Sequence, residues 1–419
     1  MKTILKILIV VLTSLLLCAT LIGFLSYKRH VNIRKNIRAE ISISDFALYK
    51  NYLYFGAGYN LCRIDLPTKS PETLYTTNII QVEKPVIADN IVYFGGAGSH
   101  FYNEQGAHGD KDSFFAFDLQ KKEILWRYPL DPHSYGTFGT YPILSGNKVL
   151  VCARRHLYCL DRTNGKRLWQ IDNWFGKDSD SIQIPYVYKN NIFHKLNSLK
   201  DDPCDGFWVE VSISDGRRTN IILLSKSTVG QGLGIEDDGT LYLTTRYVDG
   251  IPRNGYIGAI DLANKKLLWE IGGNFSRSRP SVNDKLVFTS RWDSVAALDK
   301  KNGSIVWEKN IEEITVNPHS AFEHNFRILT SSRIASTDKY VFVRNAKGII
   351  ALNALNGEKI WSVKHVPDFN PTYPIIVNES LIISNLNESS VVALNLETGK
   401  ELWKVKIPNC SVYILPDDD

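Results

Sequence analysis

Six of the nine tryptophans stand eight residues after an Asp or Asn: Asp118 and Trp126, Asp161 and Trp169, Asp261 and Trp269, Asp299 and Trp307, Asn353 and Trp361, Asn395 and Trp403. Glycine takes the fourth place after the Asp or Asn in four of these copies, at Gly165, Gly303, Gly357 and Gly399. A frame that returns in this way is an internal repeat. It limits the chain to folds assembled from stacked copies of one supersecondary unit, because a single unit cannot bury its own apolar faces.

The unit is clearest in RPSVNDKLVFTSRWDSVAALDKKNGSIVWEKN, residues 279 to 310. Four short runs of β-branched and aromatic residues are separated by polar turns, which predicts a four-stranded meander. The Asp closes the third strand, where its carboxylate can accept backbone N–H groups of the turn. The Gly takes a turn position expected to need positive φ. The Trp then lies on the fourth strand, placed as a wedge against the next unit. Third strands of this kind occur eight times, at 61–65, 114–118, 157–161, 207–212, 257–261, 295–299, 349–353 and 391–395. Several first strands open on proline: KPVI, YPIL, IPYV, RPSV and YPII. The first and fourth copies are degenerate, with Thr73 and Asn220 in place of Trp, and copies are spaced 38 to 54 residues apart. The expectation is an all-β fold, an eight-bladed β-propeller of four-stranded antiparallel blades over residues 41–419, whose ring leaves only short edges. A chain of 419 residues is too long for one ordinary core, and such a ring organises that length.

Residues 7–27 carry no charge and are long enough to span a bilayer. They are longer than the apolar region of a signal peptide and lack a small-x-small cleavage site. Residues 1–30 therefore read as an uncleaved signal anchor with one transmembrane helix, and 31–40 as a basic linker. Lys28, Arg29, Arg34, Lys35 and Arg38 outnumber Lys2 and Lys6 across the span, which by the positive-inside rule argues for a cytoplasmic domain. The net charge of +5, without blocks of like charge, gives no ground for a nucleic-acid partner. Beyond the anchor the five cysteines, Cys62, Cys152, Cys159, Cys204 and Cys410, do not make a disulfide framework. Cys152 and Cys159 fall diagonally on paired strands, as two buried thiols or as a disulfide.

The frame A-x-D-x-x-x-G-x-x-x-W, as in AALDKKNGSIVW and VALNLETGKELW, resembles the tryptophan-docking repeat of PQQ-like eight-bladed β-propellers. The resemblance runs over about residues 41 to 406. It implies the fold but not one activity, because that superfamily holds both quinoprotein alcohol dehydrogenases, which bind the quinone PQQ with calcium, and non-enzymatic scaffolds of outer-membrane protein assembly. It also implies export, so the propeller is expected to be periplasmic or extracytoplasmic, against the flanking charges. The enzyme branch typically carries two adjacent cysteines over its cofactor, and no two cysteines are adjacent here. The chain leans away from an enzyme, with no catalytic residue assigned.

Chain direction puts the loops between second and third strands on one face, together with the links between blades. The long insertions, at 95–113, 130–141, 172–183, 197–206, 247–255, 309–327 and 364–373, all fall on that face, and the opposite turns are short. Binding residues concentrate on loops held by a rigid scaffold. Four second strands end in arginine, at Arg154, Arg246, Arg291 and Arg344, a pattern that would set cations at similar heights and form a partial basic ring. The alternative is that each arginine pairs with a nearby acid. Trp174, Phe175 and Trp292 are the loop aromatics that would mark an apolar partner patch. Seven histidines map to the same face, and the insert SHFYNEQGAHGDKDS comes nearest to a metal cluster without any standard ligand spacing, so no metal is assigned.

The expected function is a membrane-anchored, non-enzymatic scaffold with no cofactor, binding a protein or envelope-polymer partner through the loop-rich face. Two alternatives stay open: a PQQ- and calcium-dependent oxidoreductase, and a glycan- or anion-binding module.

Overall fold

The computed structural model describes residues 43–407 apart from 78–80, 83, 98–112, 131–141, 154–155, 173–184, 197–206, 223–230, 247–254, 274, 276–277, 292–293, 312–332, 346–347, 365–371 and 386–387. Compactness separates Ser42–Cys410 from a unit made of Met1–Ile41 and Ser411–Asp419. The second unit, with the expected anchor at 7–27, lies outside the described residues. Among the described residues no helix is long and apolar enough to cross a membrane.

Eight antiparallel sheets follow one another along the chain, and in each the strands pair in sequence order. Blade 1 is typical, with strands Ala47–Tyr49, Tyr52–Ala57, Asn60–Asp65 and Ser70–Thr76. In blade 2 the first strand is broken into Gln81–Val82 and Val86–Ala88, both paired with Ile91–Ala97. Second and third strands are buried on both faces, as in FFAFD and VAALD, because each blade is sandwiched between two others. The core accordingly lies between blades. One cluster joins Phe288, Val295, Ala297 and Trp307 of blade 6 to Ile334, Val341, Ile350 and Leu352 of blade 7.

Every third-to-fourth strand pair carries a register shift, just before the closing turn in blades 2 to 8 and between Leu61 and Cys62 in blade 1. Beyond it, Trp126, Trp269, Trp307, Trp361 and Trp403 stand opposite Ala116, Ala259, Ala297, Ala351 and Ala393, and Trp169 stands opposite Cys159. The small partner leaves room for the indole, which reaches into the following blade. Trp126 Nε1 donates to the Arg162 carbonyl at 3.1 Å, Trp169 to Ile213 at 3.0 Å, Trp269 to Lys300 at 3.1 Å, Trp307 to Ala354 at 2.9 Å and Trp361 to Leu396 at 2.8 Å. Each acceptor is the residue after the next blade's closing Asp, Asn or Ser.

The ring closes without strand exchange among the described residues. Asp45 Oδ1 of blade 1 accepts the Tyr373 N–H of blade 8 at 2.9 Å, and the Lys69 ammonium of blade 1 lies 5.1 Å from the centroid of Trp403. The segment 410–415, a sequence candidate for closing the ring, lies outside the described residues. Cys152 and Cys159 are buried thiols outside any disulfide. Cys152 pairs with Leu157 and Cys159 with Leu150, the expected diagonal placement, and burial raises both thiol pKa values, that of Cys159 to about 11.

Candidate functional site

First strands line the axis and fourth strands form the rim. The fourth strands are the exposed ones, and apolar residues next to the docking tryptophans, such as Leu168, Leu268 and Leu402, stand about half exposed. The starts of the first strands instead meet across blades. The Arg279 backbone N–H of blade 6 donates to the Tyr373 hydroxyl of blade 8 at 3.3 Å, across the start of blade 7. Arg333, which opens blade 7, donates from Nη1 to the same hydroxyl at 3.4 Å and sets its guanidinium 4.6 Å from the ring centroid.

The starts of first strands follow the links between blades, so this meeting point opens on the loop-rich face. Six side chains gather there: Asp45, Lys84, Tyr186, Arg279, Arg333 and Tyr373. Lys84, Arg279 and Tyr373 each directly precede a proline, which holds the preceding residue extended and aims these side chains from equivalent places. Lys84 belongs to blade 2 and Arg279 to blade 6, yet the Arg279 charge acts on Lys84. Burial pushes the Lys84 ammonium below its usual pKa; Asp45 opposes the shift and Arg279 adds to it. Burial likewise pushes the Tyr186 phenol up to about 12, with Arg279 and the Gly234 backbone N–H opposing and Tyr373 adding. Arg279 Nε is buried without a hydrogen-bond partner. The cluster was hidden in the sequence at the residue before each first-strand proline, in KPVI, RPSV and YPII.

Of the four arginines read from the sequence, Arg246, Arg291 and Arg344 lie on described strands, and these three differ in register. Asp299 pairs with Leu286, Asn353 with Tyr340 and Asp261 with Thr240. Counted from those partners, Arg344 is four residues on, Arg291 five and Arg246 six. The expected common height is therefore not what the register has, and Arg291 falls on the opposite sheet face from Arg344, since side chains alternate along a strand. Arg344 is wholly buried, and its Nη1 donates to the Thr372 carbonyl and hydroxyl, both at 3.0 Å, and its Nη2 to the Ser384 carbonyl at 2.5 Å. It joins blade 7 to blade 8. Arg291 Nη1 lies 2.6 Å from Glu308 Oε2, with the guanidinium 5.1 Å from the Phe275 centroid. Arg246 ends the strand Thr240–Arg246. Arg154, Trp174, Phe175, Trp292 and the insert at 99–113, apart from Ser113, lie outside the described residues. Among the described residues no group of acids, histidines and cysteines could hold a metal ion.

The turn residues act within the scaffold. Asp118 Oδ1 accepts the Gln120 and Lys121 N–H groups at 2.8 and 3.0 Å, and Asp161, Asp261 and Asp299 repeat the arrangement.

The family model described as outer membrane protein assembly factor BamB matches residues 103–309 and 253–411. No curated protein matches the chain. Among solved structures, BamB from Moraxella catarrhalis superposes with a TM-score of 0.54 at 13% identity, over 83% of this chain and 97% of its own. Quinohemoprotein alcohol dehydrogenase from Comamonas testosteroni superposes with a TM-score of 0.56 at 14% identity, over 77% of this chain and 66% of its own. The computationally designed Ika8 protein gives 0.54 at 15% identity, over 82% and 93%. At these identities the likeness to solved structures is one of fold.

Proposed function

The chain belongs to the family described as outer membrane protein assembly factor BamB, and from that premise we propose that it is a membrane-anchored, non-enzymatic scaffold acting in assembly of the cell envelope. The propeller stands outside the cytoplasm, held by residues 7–27. It binds a protein or envelope-polymer partner through its loop-rich face, and it needs neither quinone nor calcium.

The observation that carries this reading is the asymmetry of the ring. The turns joining first to second strands are tight hairpins, as at Val282 to Leu286 and Ser336 to Tyr340. The chain excursions that begin after Ala97, Ile311 and Lys364 all leave from the other face. A rigid ring that presents its long segments on one side suits a docking platform. The family's description as an assembly factor supports the same reading.

Calorimetric titration of the full chain with the quinone, with and without calcium, tests this. The scaffold reading expects no calcium-dependent binding. Tight, one-to-one, calcium-dependent binding would replace it with the oxidoreductase reading.

A further inference from the structure

We propose that the seam between blades 4 and 5 is a latch: the two blades part there in a local opening while the seams that carry a tryptophan wedge stay shut. The inference is independent of the scaffold's partner.

Three repeat positions make a wedge. They are a small residue on the third strand, the tryptophan opposite it on the fourth, and a glycine in the next blade's closing turn, as with Ala297, Trp307 and Gly357. Across blades 4 and 5 all three are exchanged. Glu210 takes the small residue's place, Asn220 stands opposite it, and Lys265 holds the turn position with a φ of 56°. The Glu210 carboxylate is buried, with Oε2 2.5 Å from Lys265 Nζ and Oε1 accepting from Asn191 Nδ2 at 2.7 Å. An ion pair thus crosses this seam where an indole crosses others.

What opening exposes separates the two kinds of seam. Parting a wedge seam bares an indole and breaks its bond to a carbonyl, as for Trp307 and Ala354 at 2.9 Å. Parting blades 4 and 5 instead returns a carboxylate and an ammonium to water, which recovers the desolvation cost of burying them together. Trp208 Nε1, buried on this seam without a hydrogen-bond partner, gains a water at the same time. Apolar packing does not distinguish the cases. Leu241 clusters with Phe193 and Trp208 of blade 4, as Val341 clusters with Phe288 and Trp307 of blade 6. Neutral hydrogen bonds do not either: the Gly234 N–H meets the Tyr186 hydroxyl here, and the Thr244 hydroxyl donates to the Ser278 carbonyl at 2.7 Å between blades 5 and 6.

The seam between blades 1 and 2 also lacks a tryptophan, but it is held in other ways. The Val82 N–H donates to the Gly58 carbonyl at 2.9 Å. Tyr75 of blade 1 packs on Phe94, Phe115 and Phe117 of blade 2, with centroids 6.3, 6.1 and 6.1 Å away. Its ion pair, Lys122 with Glu72, is exposed, so little desolvation is recovered there.

The test is thiol labelling of the full chain, read peptide by peptide by mass spectrometry, in Leu241→Cys and in Val341→Cys. Both positions are wholly buried, and they are equivalent, each one pair beyond the closing Asp261 or Asn353. The first thiol reports on the blade 4–5 seam and the second on a wedge seam. The thiol of Leu241→Cys should label about tenfold faster or more, as a local opening requires. Adding Lys265→Met, which removes the carboxylate's counter-charge, should quicken it by about tenfold again and leave Val341→Cys unchanged. Installing the wedge with Glu210→Ala, Asn220→Trp and Lys265→Gly should slow it to the Val341→Cys rate. Equal labelling of the two thiols, a Lys265→Met effect of equal size at both, or a wedge variant that labels as fast as Leu241→Cys alone overturns the proposal.

Discussion

At the fourth place of the closing turn, Lys69, Lys122 and Lys265 hold φ values of 60°, 57° and 56°, while Gly165, Gly216, Gly303, Gly357 and Gly399 hold 68° to 76°. Positive φ is thus common to both residue types, and it does not by itself select glycine. The neighbouring indole does. A Cβ on Gly303 would lie 2.5 Å from Trp269 Cε3, and the other four glycines face a tryptophan from the preceding blade in the same way. Lys122 and Lys265 follow the two blades that lack the tryptophan, and their ammoniums reach back to Glu72 at 2.9 Å and Glu210 at 2.5 Å. Lys69 is the exception, lying over Trp403 itself. Gly303→Ala should therefore cost about 2–4 kcal/mol, from overpacking and from φ strain together. Lys122→Ala should cost under about 1 kcal/mol, because it removes a largely exposed ion pair. Thermal and denaturant unfolding of the two variants measure the contrast. The tryptophan's place as an inter-blade wedge was legible from spacing alone. The reason for the glycine was not, because it lies in the preceding blade's sequence, 34 residues away in the case of Trp269 and Gly303.

The closing turn is the element that repeats most faithfully, and it carries a pH dependence. Backbone N–H groups of Lys121 and Gln120 hold the Asp118 carboxyl below its usual pKa; the Thr163 hydroxyl and N–H do so for Asp161, and the Asn264 backbone and side chain for Asp261. A depressed carboxylate stabilises the fold above its unfolded pKa of about 4 and loses that contribution as pH falls through the lower folded value. Stability should then decline from about pH 4 downward. Blades 7 and 8 already use Asn353 and Asn395 here, with side-chain oxygens accepting the Leu355 and Glu397 N–H groups at 2.8 and 3.0 Å. The triple variant Asp118→Asn, Asp161→Asn, Asp261→Asn should keep the turns and flatten the acid limb of a stability–pH curve. Strand existence and order were legible from alternating apolar runs and turn residues. The heights of Arg344, Arg291 and Arg246 were not, because the end of a second strand says nothing of its pairing register, and they sit four, five and six places from their reference pairs. The tools for reading that register are the partners of Asp299, Asn353 and Asp261, which only the folded chain supplies.

Among the described residues, eight sheets close into one ring by side-chain seams rather than by a shared strand. Five of the seams rest on a tryptophan hydrogen-bonded into the next blade, two on Lys–Glu pairs and one on Lys69 over Trp403. Such a ring is a platform with two unlike faces, and the scaffold reading follows from which face carries the long segments. That asymmetry was visible in loop lengths. The axial cluster was not, because its six members are scattered between residues 45 and 373 and meet only when the ring closes. The most direct measurement of the partner-face claim is photo-crosslinking in the native cell, with a photoreactive residue replacing Trp292 between the second and third strands of blade 6, or Lys339 on the short-turn face of blade 7. The account predicts adducts to a protein or envelope polymer from position 292 and none from 339. Adducts from 339 alone, from both positions equally, or from neither would contradict it.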